Sequence, residues 1–130
     1  MANPNIVSVS SIKGESVGYN LSSTTTTTLL TVASNKVVKV NRITCANVDG
    51  SSAADLSLSV VKANFTPDGI SNFDTSGTFH LAKTVSVPAD ATLVILDTPI
   101  YLMEGDVLKG GAGAASDLEL FVSYESIDDA

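Results

Sequence analysis

The stretch Ala54–Lys62, ADLSLSVVK, sets the terms for the whole chain. On an extended backbone Leu56, Leu58 and Val60 fall on one side, and Ser57 and Ser59 on the other. A strand repeats every two residues, so such alternation marks a ribbon with one dry face and one wet face. The same rhythm runs through DLELFVSYESI, where Leu118, Leu120, Val122 and Tyr124 oppose Glu119, Ser123 and Glu125. In TFHLAKTVSV it sets Phe79, Leu81, Val85 and Val87 against His80, Ala82, Thr84 and Ser86. Lys83 interrupts the apolar series of that segment, which is how an edge strand discourages further pairing.

The other apolar runs fit the same architecture. KVVKVNRITCAN is rich in β-branched residues, but its apolar phase shifts from Val38 and Val40 to Ile43 and Cys45. One extra residue near Asn41 and Arg42 accounts for the slip, so a β-bulge is expected there. ATLVILDTPIYLM is apolar on both parities and reads as a strand covered on both sides. The five threonines of TTTTTLLTVAS lead into Leu29 and Leu30, and their β propensity favours a strand over a linker. Turn-forming clusters separate these runs: NVDGSSAAD, TPDGISNFDTSG, VPAD and MEGD. No segment sustains a 3.6-residue period, and GESVGYNL is interrupted by glycine.

The expected fold is therefore all-β: an antiparallel β-sandwich or jelly-roll-like single domain, residues 1–130, of eight or nine strands. Residues 1–5 read as an N-terminal arm, and Asp128-Asp129 as an acidic tip. Only 5% of the residues are aromatic and none is Trp, so Val, Leu, Ile and Ala must fill the core.

The segment KGGAGAASD contains Gly111 and Gly113, with Ser116 where a dinucleotide-binding fingerprint would carry its last glycine. A phosphate loop works because it opens a helix whose N-terminal N–H groups meet the anion. Here an alternating strand follows instead. The segment is expected to be a flexible connection between two antiparallel strands.

Charge narrows the partners. The net charge is −7, and the seven basic residues form no run, so nucleic acid is not expected as a partner. Cys45 is the only cysteine and His80 the only histidine, which leaves no material for a Cys/His zinc site. MANPNIVSVSS lacks the pattern of a secretory signal, and no apolar run has the length of a membrane span, so the expectation is a soluble protein with no membrane partner.

No set of residues assembles catalytic chemistry. His80 shares its parity with Ala82, Thr84 and Ser86 and is expected to face solvent. Cys45, in a strand among Ile43 and Ala46, is expected to be a small buried hydrophobe. Asp49 and Asp55 flank one turn, and Asp68 and Asp74 another. Carboxylates at such places can bind Ca²⁺, but turn formation through bonds to their own backbone is the expected role. A carboxylate pair for glycoside hydrolysis would need aromatic sugar platforms that the composition hardly supplies. Catalytic, cofactor and metal sites are all expected to be absent. The candidate site is a surface: Phe121, Val94 and Leu96 are apolar residues on nominally wet parities, as at a subunit contact.

Two long segments, TTTTTLLTVASNKVVKVNRITCANVDGSSAADLSLSVVK and AKTVSVPADATLVILDTPIYLMEGDVLKGGAGAASDLELFVSYESI, resemble small virion structural proteins of tailed bacteriophages, especially those of marine cyanophages. The resemblance covers residues 24–127, except for the loop Asn64–Gly77. It rests on turn-and-strand patterns and carries over no functional residue. It implies a non-enzymatic virion protein, assembled in the host bacterial cytoplasm and carried on the capsid surface. Its expected partner is the major capsid protein or another virion protein, and it is expected to be a homo-oligomer, a trimer at local symmetry axes. The foremost role it implies is capsid decoration, or cement. The alternative is a neck or tail accessory or fibre protein that binds a receptor or glycan.

Overall fold

The computed structural model describes residues 9–63, 69, 71–74 and 76–129. These form nine strands and no helix: β1 (Val9–Asn20), β2 (Thr27–Thr31), β3 (Lys36–Asn47), β4 (Ala54–Lys62), β5 (Gly77–Val87), β6 (Thr92–Leu96), β7 (Ile100–Leu102), β8 (Val107–Ala112) and β9 (Leu118–Asp129). The expected N-terminal arm, residues 1–5, lies outside the described residues.

Two antiparallel sheets pack face to face. Sheet A has the order β1-β9-β3-β6, with β7 also paired to β3, and sheet B has the order β2-β8-β4-β5. Strand β6 pairs with Ile43–Ala46 of β3, and β7 pairs with Val38–Val40. The two are thus one strand broken at Asp97-Thr98-Pro99, where Pro99 has no N–H to give to a ladder. With β6 and β7 counted together, the sheets have the eight-strand order of a jelly roll.

The core lies between the sheets and follows the alternation. Leu56, Leu58 and Val60 of β4 face Leu118, Leu120 and Val122 of β9 across a layer completed by Val40, Ile43, Cys45, Leu102 and Leu108. The predicted bulge in β3 is present as a register shift between Val40 and Arg42 in the pairing with β9. It restores the inward phase, so that Val38 and Val40 before it and Ile43 and Cys45 after it all reach the core.

Strand β5 is an edge strand, in keeping with Lys83, but its phase differs from the sequence reading. Two register shifts against β4, one on each side of Leu58, give β5 two extra residues. Phe79, Val85 and Val87 stand opposite the inward-facing Val60, Leu56 and Ala54, whereas Ala82, not Leu81, stands opposite Leu58. Ala82 is buried and Leu81 is exposed. At the bulge Thr84 has φ 48°, and its N–H donates to Ser57 Oγ at 3.2 Å.

Three further expectations need correction. ATLVILDTPIYLM is not one strand covered on both sides but the broken edge strand β6–β7. Among the five threonines only Thr27 and Thr28 belong to β2. KGGAGAASD is not a loop throughout: Lys109–Ala112 lie in β8, which is flanked on both sides, by β2 and β4. Main chain fills the space where a side chain on Gly111 would sit, since an added Cβ would lie 2.8 Å from Thr25 O. Only residues 113–117 turn, and they carry the chain from sheet B to sheet A.

A candidate interaction surface on sheet A

Antiparallel partners place their side chains on the same face, so the registers define the outer surface of sheet A row by row. One row reads Gly18 (β1), Phe121 (β9), Thr44 (β3), Val94 (β6). Phe121 therefore projects from the middle of the sheet, with strands on both sides of its own. It is 54% exposed, and Val94 is 48% exposed. Two strand spacings, about 10 Å, separate their backbones. The adjacent row, Asn20, Glu119, Ala46 and Thr92, is small or polar. Between the two rows lies an open depression of about 300 Å³, lined by Gly18, Thr44, Ala46 and Phe121 among others.

Two of the three residues singled out from the sequence, Phe121 and Val94, are exposed on this outer face. Leu96 belongs elsewhere: a register shift between Ile43 and Thr44 places it opposite the buried Ile43, and it packs against the core. The period-two rule gave Val94 and Leu96 the same face, and the extra residue in β6 separates them.

Beyond this patch the outer face is mostly polar, with the exposed Tyr101 opposite Lys39. Arg42 and Ser123 share a row with Ser16, and Lys39 Nζ lies 3.6 Å from Glu125 Oε2 in the next. At the far end of the sheet Val37 and Ile127 are buried, although they are not part of the main core, and Ile12 beside them is exposed.

The remaining candidates are spread over the fold. His80 is exposed on β5, on the far side of the sandwich from Phe121, and pairs in register with Ser59. Cys45 is buried, and burial pushes its thiol up to about 11. Asp49 Oδ1 accepts from Ser51 N and Ser51 Oγ at 3.0 and 2.9 Å, which is a turn-forming role. Asp55 and Asp74 are exposed, and Asp68 lies outside the described residues. Among the described residues no group of three or more His, Cys, Asp or Glu side chains is placed to hold a metal ion.

Three buried polar side chains escaped the sequence reading, among them Ser59, only 3% exposed on the face of β4 read as wet. Asn47 donates from Nδ2 to Ser52 O and Val87 O at 3.0 and 2.9 Å, and its Oδ1 accepts from Asp49 N at 2.9 Å. Asp106 is 0% exposed; its carboxylate accepts from Ala63 N (2.9 Å), Met103 N (2.8 Å) and Lys62 Nζ (2.5 Å). The other two, Asn47 and Asp106, tie loops at the ends of the sandwich. Their only sequence signal is membership of the turn clusters NVDG and MEGD.

No family model, curated protein or solved structure matches this chain.

Proposed function

We propose that the protein is a non-enzymatic structural component of a bacteriophage virion, a decoration protein that seats the outer face of sheet A on the major capsid protein. The observation that carries this reading is Phe121, an aromatic ring presented to solvent from the centre of a sheet. Small residues flank it, and an apolar neighbour, Val94, stands in the same row. Aromatic anchors at the centre of a patch dominate binding energy at protein interfaces, and a polar rim such as Asn20 and Glu119 completes that pattern. The resemblance of residues 24–127, apart from the loop Asn64–Gly77, to cyanophage virion proteins supports a partner within the particle, the major capsid protein or another virion protein.

Particle composition tests the assignment. A copy number in the hundreds per purified virion supports decoration of the head. Six or twelve copies would reject it in favour of the neck or tail. The docking face is tested by adding purified variants to particles that lack the protein. Phe121→Ser and Val94→Ser remove exposed side chains and should leave folding stability within about 0.5 kcal/mol of the parent. Loss of an anchor worth about 2 kcal/mol weakens binding roughly thirtyfold. Unchanged occupancy by both variants would move the contact off this face.

A further inference from the structure

An open sheet edge is a template for another strand, and folds commonly block such edges with bulges, breaks, short strands or charge. Sheet A ends at β1 and at the β6–β7 strand, and sheet B at β2 and β5. Three of these edges carry such a device. Strand β5 has two register shifts and Lys83. Strands β6 and β7 are separated by Asp97-Thr98-Pro99, and β2 spans five residues. Strand β1 differs. It is twelve residues long, and its pairing with β9 runs without a shift from Ser11 to Asn20. Ile12, Lys13, Gly14, Glu15 and Ser16 are all exposed, and no described strand pairs with the other side of β1.

The sequence of β1 selects its own partner. Suppose two copies pair edge to edge about a two-fold axis perpendicular to the sheet. Residue numbers then sum to a constant along the pairing. That sum is even, because the inward-facing residues Val17 and Tyr19 must stay on the same side in both copies. A register centred on Lys13 sets lysine against lysine, and one centred on Glu15 sets glutamate against glutamate. The register centred on Gly14 sets Lys13 against the second copy's Glu15 twice over, once in each direction. Registers centred on Ile12 or Ser16 leave both charges facing uncharged residues. Directly opposed side chains lie about 5 Å apart at Cβ, within reach of an ion pair. Gly14 at the axis brings no side chain, and nothing lies within 4 Å of where its Cβ would be. The carboxylate of Glu15 accepts from Tyr124 Oη at 3.1 Å through one oxygen, which leaves the other to meet a lysine.

We propose that β1 is a self-pairing edge: two copies of the chain associate through antiparallel β1 strands in the register centred on Gly14, with reciprocal Lys13–Glu15 pairs. The contact is isologous and closes at two copies, so it specifies a dimer where the family resemblance implied a trimer. It rests on β1 alone and stands independently of the virion assignment.

Sedimentation velocity of the full chain from micromolar to millimolar concentration measures the association. Lys13→Glu and Glu15→Lys each turn both attractive pairs into repulsive ones and should weaken the dimer by about tenfold or more. The double variant Lys13→Glu/Glu15→Lys should regain parental association, and so should an equimolar mixture of the two single variants. Both positions are exposed, and circular dichroism confirms that each variant is folded. The proposal is overturned if the parent remains monomeric at millimolar concentration. It is equally overturned if the single swaps leave a dimer intact. Stronger association of Lys13→Glu would do the same, because Lys13 would then be a charge that guards the edge.

Discussion

Replacing Asp106 with alanine deletes a carboxylate that water does not reach and strands the groups it serves. The backbone N–H groups of Ala63 and Met103 lose their acceptor, and Lys62 Nζ loses one ion pair. Each buried donor left unsatisfied costs about 1–3 kcal/mol. Lys62 contributes less, because its side chain is 24% exposed and can turn to water. The sum is about 3–5 kcal/mol, a large part of the stability of a domain this size. The damage reaches both sheets. Asp106 closes the turn from β7 to β8, where its N–H donates to Met103 O at 3.0 Å and Gly105 has φ 84°. Its carbonyl accepts from Val32 N at 2.9 Å beyond the end of β2. Urea unfolding at neutral pH should show a lower midpoint with an unchanged slope, and Tm should fall by about 10–20 °C. Asp106→Asn keeps the shape but has only one acceptor oxygen for three donors, so it should lose at least half as much. Exchange protection of the Ala63 and Met103 amides should fall in both variants. A loss below about 1 kcal/mol for Asp106→Ala would refute the reasoning, since orphaned donors cannot be that cheap in a dry site.

Three other perturbations follow from equally local geometry. An added methyl at Gly111 would meet the backbone of Thr25 and Thr26 at 2.8–3.0 Å, whereas one at Gly110 would meet the movable Leu29 Cδ1 at 2.9 Å. Gly111→Ala should therefore cost about 2 kcal/mol by chemical denaturation and Gly110→Ala clearly less, and the reverse order would count against the packing described for β8. Cys45, with its thiol pushed up to about 11, should resist alkylation at pH 8 until the protein unfolds, and should make the fold lose stability as pH rises from about 9 towards 11; rapid labelling of the native protein would contradict its burial. Asp128 is held below its ordinary value of 3.8, first by its hydrogen bond from Lys36 and next by that from Ser11 Oγ at 2.8 Å. Its stabilising effect is present above that value and disappears as pH falls through the lower folded value, so Asp128→Asn should flatten the acid limb of a stability–pH curve.

What the sequence revealed depended on whether side chains reported the backbone. Strands β4 and β9 were legible because each has one strongly apolar face in the core and a largely polar face opposite, even though Ser59 on that opposite face of β4 is buried. The bulge in β3 was legible for the same reason: a slip in phase leaves a mark when the flanking residues are strongly apolar. Strand β8 was hidden because Gly110 and Gly111, in the middle of a sheet, have no side chains with which to alternate. Strand β1 was hidden for the opposite reason. At an edge it exposes most of both faces, and only Val17 and Tyr19 pack against the core. Phe121 and Val94 stood out as apolar residues at polar parities, whereas Leu96 was misplaced because the register shift in β6 carries no phase signal in an all-apolar run. Asp106 gave no sign of being buried. A carboxylate in a turn cluster looks alike in sequence whether it faces water or three donors.

The outer face and the open edge are geometrically compatible, and each alters what the other can do. A two-fold axis perpendicular to sheet A leaves the outer faces of both copies pointing the same way, on one continuous sheet. From β9 to its counterpart is three strand spacings, about 14 Å. In the register centred on Gly14, the two copies' Gly18 lie four residues from the axis on opposite sides, so the two Phe121 rows are offset by eight residues, about 26 Å. The two aromatic anchors then lie about 30 Å apart on a common plane. If both proposals hold, such a pair would engage a repeating surface at two points, the second contact forming at the effective concentration set by the first. A patch as small as the one around Phe121 and Val94, which alone would hold weakly, would hold more firmly when doubled in this way. The two ideas fail separately. Charge swaps at Lys13 and Glu15 would abolish pairing in solution and leave a weak single-site contact through Phe121. Substitution of Phe121 would abolish docking and leave the dimer whole.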